Sequence, residues 1–209
     1  MVDNTNSYKI KTRPEVLVHP TIPKPLHGLS PRSIKGKDWW DVTRKQVYKE
    51  QGWCCIACGV KKEEAKYHQW LEAHESYKIN YTKGFMVLEE IIALCHSCHN
   101  FIHCGRLQIL YYKNEISFCK FRHIMLHGFK VLKDKGIKPH PNQVMVYLDI
   151  LSKNNISIPN SLVSNAERIV RGYENPVFKK EYSEWFLEIE GKRYYSKFSC
   201  EEDWSTYFS

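Results

Sequence analysis

Two dithiol pairs, Cys55-Ile-Ala-Cys58 and Cys95-His-Ser-Cys98, stand 36 residues apart and offer the four thiolates of a closed tetrahedral zinc site. The second pair runs straight into His99 and His103. A four-residue step puts both imidazoles on one face if a helix begins after Cys98, so a second, separate metal ion could sit there. These residues point to metal-dependent chemistry beside a structural Zn2+. Disulfide pairing is the competing use of such cysteines, and the spacing favours zinc. Cys54, Cys104, Cys119 and Cys200 fall outside the pattern and read as ordinary core or surface residues; a Cys54 to Cys58 step fits a knuckle less well.

The elements that must position these residues follow from periodicity and breakers. The first 35 or so residues carry Pro14, Pro20, Pro23, Pro25 and Pro31 with few periodic apolar positions, which predicts an extended arm wrapped over something. From Asp38 the rhythm of Trp39, Trp40, Val42, Val47 and Tyr48 predicts a helix that Gly52 ends before the first knuckle. Tyr67 to Glu75 reads as a strand, Tyr77 to Lys83 as a loop closed by Gly84, and Phe85 to Leu94 as a returning strand. A helix from Cys98 to about Leu110 completes the order strand, loop, strand, helix. Further on, helical stretches are expected at Arg122 to Lys135, Asn142 to Lys153 and Asn160 to Arg171, with breaks at Gly136, Pro139, Pro141 and Pro159. Residues Glu184 to Ser199 alternate about Glu190-Gly191, a hairpin signal whose aromatics are expected in the core.

The chain has 209 residues, long enough for a sizeable core, and a net charge of +8. Residues 1–62 hold 12 Lys/Arg against 5 Asp/Glu, while the remainder is close to balance. That N-terminal positive field includes Lys9, Arg32, Lys35, Lys37 and Arg44 and suits a phosphate backbone, although charge alone favours a solvated basic face with no partner. Neither a basic-plus-apolar leader nor an apolar run of about 18 residues occurs. The expectation is a soluble protein of a reducing compartment, the cytoplasm, with no membrane partner.

The segments Trp70-Leu-Glu-Ala-His-Glu75 and Ile92-Ala-Leu-Cys-His-Ser-Cys-His-Asn-Phe-Ile-His103 resemble an HNH endonuclease, a ββα-metal nuclease with a zinc clamp. Ile22-Pro-Lys-Pro-Leu-His-Gly28, Pro31-Arg32, Trp40 and Tyr48 are similar to the lead-in of some bacterial and phage members. The resemblance runs from about residue 20 to residue 107. It implies that His74 falls where the family carries its first-strand metal ligand, Glu75 where the family usually carries its base, and His99 and His103 where helix histidines bind metal. Two departures stand out: the base position is Glu75 rather than histidine, and the expected asparagine is Glu90.

Two schemes follow. In one, His74, His99 and His103 hold the catalytic ion while Glu75 or a neighbour is the base. In the other, His74 is the base; strand alternation sets Glu72 and His74 on one face and Glu75 on the other, and an imidazole is the better base near pH 7 than an ordinary carboxylate, which mildly favours this second scheme. Glu72 is a candidate to orient a ligand histidine, and a solvated strand carboxylate reads equally well. His96 reads as a solvent-facing knuckle residue, Asn100 as helix surface, and Arg106 as a phosphate contact. His27, His68, His123, His127 and His140 default to structural or surface roles.

Together these readings predict an α+β protein: an extended basic arm (1–37), a zinc-stabilised HNH module (38–110), and a helical region with a C-terminal β-hairpin (111–209) for DNA recognition or dimerisation. The expected activity is a DNA endonuclease using one divalent ion (Mg2+, Mn2+, Ni2+ or Zn2+) on double-stranded DNA, in restriction, homing or defence, as a homodimer. Its rival is a non-catalytic zinc-stabilised nucleic-acid-binding protein.

Overall fold

The computed structural model describes residues 11–158, 160–173 and 176–208. Lys9 of the basic arm and the break at Pro159 lie outside them. The architecture is α+β, and no helix among the described residues is long and apolar enough to cross a membrane.

The N-terminal arm is not a free extended strand. It forms two short 3-10 turns, Pro14–Leu17 and Lys24–Leu26, and buries Leu17 and Leu26 completely in two different hydrophobic clusters. What the prolines prevent is a long element; the leucines between them still find core. Ser30 then accepts from the Ser33 N–H, and Pro31 occupies the first turn of α1 (Pro31–Lys35). Helix α2 (Lys37–Glu50) follows as expected and buries Trp40 and Tyr48.

Strand β1 runs from Glu72 to Asn80 and pairs antiparallel with β2 (Phe85–Leu94), with a register shift at Ser76/Tyr77. The expected strand over Tyr67–Glu75 is therefore displaced: Tyr67 takes φ +77°, and His68 stacks on Trp70 at 4.0 Å between ring centroids, so this stretch turns instead of extending. The expected loop from Tyr77 shrinks to a turn closed by Gly84 at φ +72°. The single helix predicted after Cys98 is two helices, α3 (His96–Ile102) and α4 (Cys104–Tyr112), broken at His103. Gly105, a poor helix former, stands just past the break.

Helices α5 (Phe118–Lys133), α6 (Pro141–Lys153) and α7 (Asn160–Arg171) follow. Gly128 of α5 lies against Phe101 of α3, where an added Cβ would sit 2.2 Å from the ring, so α5 and α3 pack closely only because this residue is glycine. The hairpin β3 (Phe186–Ile189) and β4 (Lys192–Tyr195) turns at Glu190 and Gly191, both with positive φ, before α8 (Glu201–Phe208). It is not an independent appendage: β3 pairs parallel with β2, giving one sheet in the order β1-β2-β3-β4. Leu26 of the arm, Met86 of β2 and Trp185, Leu187 and Ile189 of the hairpin form one buried cluster beneath it.

Candidate metal centres

Both knuckles are built from backbone. Cys55 N–H donates to Val60 O at 2.9 Å and Gly59 N–H to Cys55 O at 2.8 Å, with Gly59 in the left-handed region the turn demands. Ile56 N–H donates to Ala93 O at 3.0 Å, which ties the first knuckle to the end of β2 that delivers the second. Sulfur atoms of Cys55, Cys58, Cys95 and Cys98 all lie within 4.8 Å of one another, so the four can hold a metal ion such as structural zinc. Cys58 and Cys95 Sγ are 3.8 Å apart. A tetrahedron with Zn–S bonds of about 2.3 Å has an edge of about 3.8 Å, so the spacing fits that ion. Burial disfavours a Cys55 thiolate, yet hydrogen bonds from Cys58, Cys95 and Cys98 prevail and hold this thiol well below its ordinary range, while the same contacts push Cys95 and Cys98 up. Cys54 is excluded; its thiol donates to Gly52 O at 3.3 Å. His127 of α5, given no metal role by the sequence, places Nε2 3.5 Å from Cys98 Sγ.

The second group joins His74 from β1, His99 from α3 and His103 from the α3–α4 junction, with donor nitrogens within 4.8 Å of one another. The break in the helix does not separate the last two: His103 N–H still donates to His99 O at 3.2 Å, and their ring centroids are 4.7 Å apart. His74 is 4 % exposed, and neither of its nitrogens has a hydrogen-bond partner. Burial, then the neighbouring His103, His19 and His99, push its pKa down to about 2; burial and His99 push His103 down to about 4. Both are therefore neutral at pH 7, the form in which imidazole binds a metal ion.

Glu72 supports this group from the same face of β1. Its carboxylate accepts from His96 Nδ1 at 2.7 Å, and its other oxygen lies 2.5 Å from His99 Nδ1, an ion-pair contact off the line of an ideal hydrogen bond. Burial works to raise its pKa, but the contacts from His96 and His99 prevail and hold it at about 2. His96 is thus no solvent-facing knuckle residue; its ring is enclosed by Glu72, Tyr67 and His68. Asn100 is no helix-surface residue either: it is 5 % exposed, and its Nδ2 donates to His96 O at 2.9 Å. Neither could be foreseen, because α3 starts at His96 rather than after Cys98 and so turns both side chains inward.

Glu75 lines the rim of a cleft of about 610 Å³ that His74, His103 and Arg106 also line. Burial raises its carboxyl pKa. Residues of the arm from His19 to Ser30 and of the start of α6 from His140 to Val146 also line it. Glu90 makes a bidentate contact with Arg13 at 2.9 and 2.5 Å, anchoring the arm to β2. Of the proposed phosphate contacts, exposed Arg106 lies at the cleft. Lys35 pairs with Glu190 at 2.5 Å, and Lys37 and Arg44 pair with Asp41 at 2.5 and 2.8 Å; these three and exposed Arg32 lie off the cleft on α1 and α2.

Sequence reasoning missed His19. Its ring centroid is 5.0 Å from that of His74, and its Nε2 is buried without a hydrogen-bond partner. Nothing in its local sequence signals this, since the arm meets the module only through tertiary folding. Comparison with known proteins finds no matching family, no matching curated protein and no matching solved structure.

Proposed function

We propose that this protein is a metal-dependent endonuclease of the HNH type that hydrolyses phosphodiester bonds in double-stranded DNA, with Cys55, Cys58, Cys95 and Cys98 as a zinc clamp. The observation that carries this reading is the convergence of His74, His99 and His103 within 4.8 Å where two antiparallel strands meet a helix, beside the four-cysteine group. A divalent ion bound there would supply charge neutralisation for a phosphodiester under attack. The chain's own residues do the rest. Glu72, 2.5 Å from His99 Nδ1, would leave Nε2 as the nitrogen free to bind the ion. His74, neutral and buried, fits the ligand role better than the base role, because both its nitrogens are covered by the other rings. That leaves Glu75 at the cleft rim to hold the proton of an attacking water, with a carboxyl whose pKa burial has moved toward neutrality. Arg106 at the same cleft is placed to grip a phosphate oxygen.

Plasmid cleavage with Mg2+, Mn2+, Ni2+, Zn2+ or EDTA, beside a His74→Ala/His99→Ala double mutant, tests the proposal. Metal-dependent nicking that the double mutant loses, with its cysteine-bound zinc retained, is the expected result. DNA binding without cleavage by the parent protein would overturn it in favour of a zinc-stabilised binding protein.

A further inference from the structure

We propose that His19 is a fourth imidazole donor to the ion held by His74, His99 and His103. The inference rests on those three histidines forming a metal site, not on the reaction that site supports.

His19 Nδ1 lies 2.8 Å from Pro20 O. A carbonyl oxygen only accepts, so Nδ1 carries the hydrogen and the lone pair of the ring sits on Nε2. Such an arrangement, one nitrogen tied to a backbone carbonyl and the other free, is the one that metal-ligating histidines adopt. His99 likewise turns Nδ1 toward an acceptor, the Glu72 carboxylate 2.5 Å away. The Nε2 of His19 is covered from solvent and makes no hydrogen bond of ordinary geometry, although the Glu75 backbone lies close enough to act on the ring. Leaving a buried polar atom unmatched is costly, so a partner is called for, and solvent does not reach the atom. His19 stands 5.0 Å from His74 between ring centroids, the same separation as His74 to His103 and shorter than the 5.5 Å from His74 to His99.

The three other donors fall within 4.8 Å without His19, so ligation draws the His19 ring inward. The arm permits a movement that small. It is pinned upstream by Arg13 on Glu90 and by fully buried Leu17, whose carbonyl accepts from Gln143 Nε2 at 2.8 Å, and only the short stretch after Leu17 has to give. A fourth imidazole would turn the site toward Zn2+, Co2+ or Ni2+ and away from Mg2+, which prefers oxygen, and would make ion binding and arm closure one event.

The test is titration of Co2+ into full-length protein whose cysteine site already holds zinc. His19→Ala is expected to bind Co2+ at least about tenfold more weakly, with an altered visible absorption spectrum, while keeping its zinc. Independently of any substitution, the Co2+-loaded parent should show four hyperfine-shifted exchangeable imidazole N–H resonances, which also decides the matter if His19→Ala fails to fold. Three such resonances, or a His19→Ala protein with a Kd within twofold of the parent and the same spectrum, would overturn the assignment while leaving the three-histidine site standing. A parent protein that binds no metal beyond its cysteine zinc would overturn both.

Discussion

Glu72→Gln is the substitution that most directly probes how the histidine group is held. In the folded chain the carboxylate is held at about 2 against an ordinary 4.5, a displacement of about 2.5 pH units. At 1.36 kcal/mol per unit this is about 3 kcal/mol of net preference for the charged form. That preference is spread over His96 and His99, so only part of it bears on the contact with His99 Nδ1. Glutamine keeps the shape and one acceptor oxygen but loses the charge. The expected result is a Kd for Co2+ or Zn2+ at the histidine site raised about 10–100-fold, the range for removing a group that orients a metal ligand. Calorimetric titration of protein with zinc in the cysteine site measures it, and a colorimetric thiol-zinc assay confirms that this zinc stays put. A Kd within twofold of the parent would refute the orienting role. Parallel loss of the cysteine zinc would instead show that Glu72 supports the fold at large.

Acid should weaken the chelator-treated protein well before carboxylates titrate. His74 and His103 are neutral in the folded state down to about 2 and about 4, whereas the unfolded chain binds protons at its histidines from about 6.5, so stability present above pH 6.5 is lost as pH falls toward 4; from pH 7.5 to 5.5 urea melts should lose about 2–3 kcal/mol, and a flat profile would contradict the buried neutral pair. Gly128→Ala should destabilise by about 1–3 kcal/mol in the same melts, because its Cβ would meet the Phe101 ring at 2.2 Å, and an unchanged midpoint would show that α5 and α3 are not in close contact. Cys58→Ser should release the cysteine-bound zinc and lower the thermal midpoint sharply, whereas Cys54→Ser, outside the cluster, should keep one zinc per chain; equal zinc loss from both would refute the ligand assignment.

What was legible in the sequence was whatever local spacing dictates. Cys-x-x-Cys twice and His-x-x-x-His named six of the candidate ligands, because a knuckle turn and a helical turn fix which neighbours share a side, whereas His74 came from the resemblance to HNH nucleases. Strand β2, helix α2 and the Glu190-Gly191 turn were likewise local matters of alternation, periodicity and positive φ. The start of β1 was not, since Tyr67 to Leu71 have strand-forming residues but a stacked His68–Trp70 pair and a left-handed Tyr67 that only their surroundings select. Nor was the inward turn of His96 and Asn100, which depends on a helix start moved by two residues. The tertiary structure alone decided the remainder: that the arm is core through Leu17, that Glu90 anchors Arg13, that the C-terminal hairpin extends the same sheet, and that His19 arrives beside His74 from 55 residues upstream. Spacing along a chain constrains only partners within a turn or a pleat; which distant segments meet is set by which buried surfaces fit together, and that information is spread over the whole sequence.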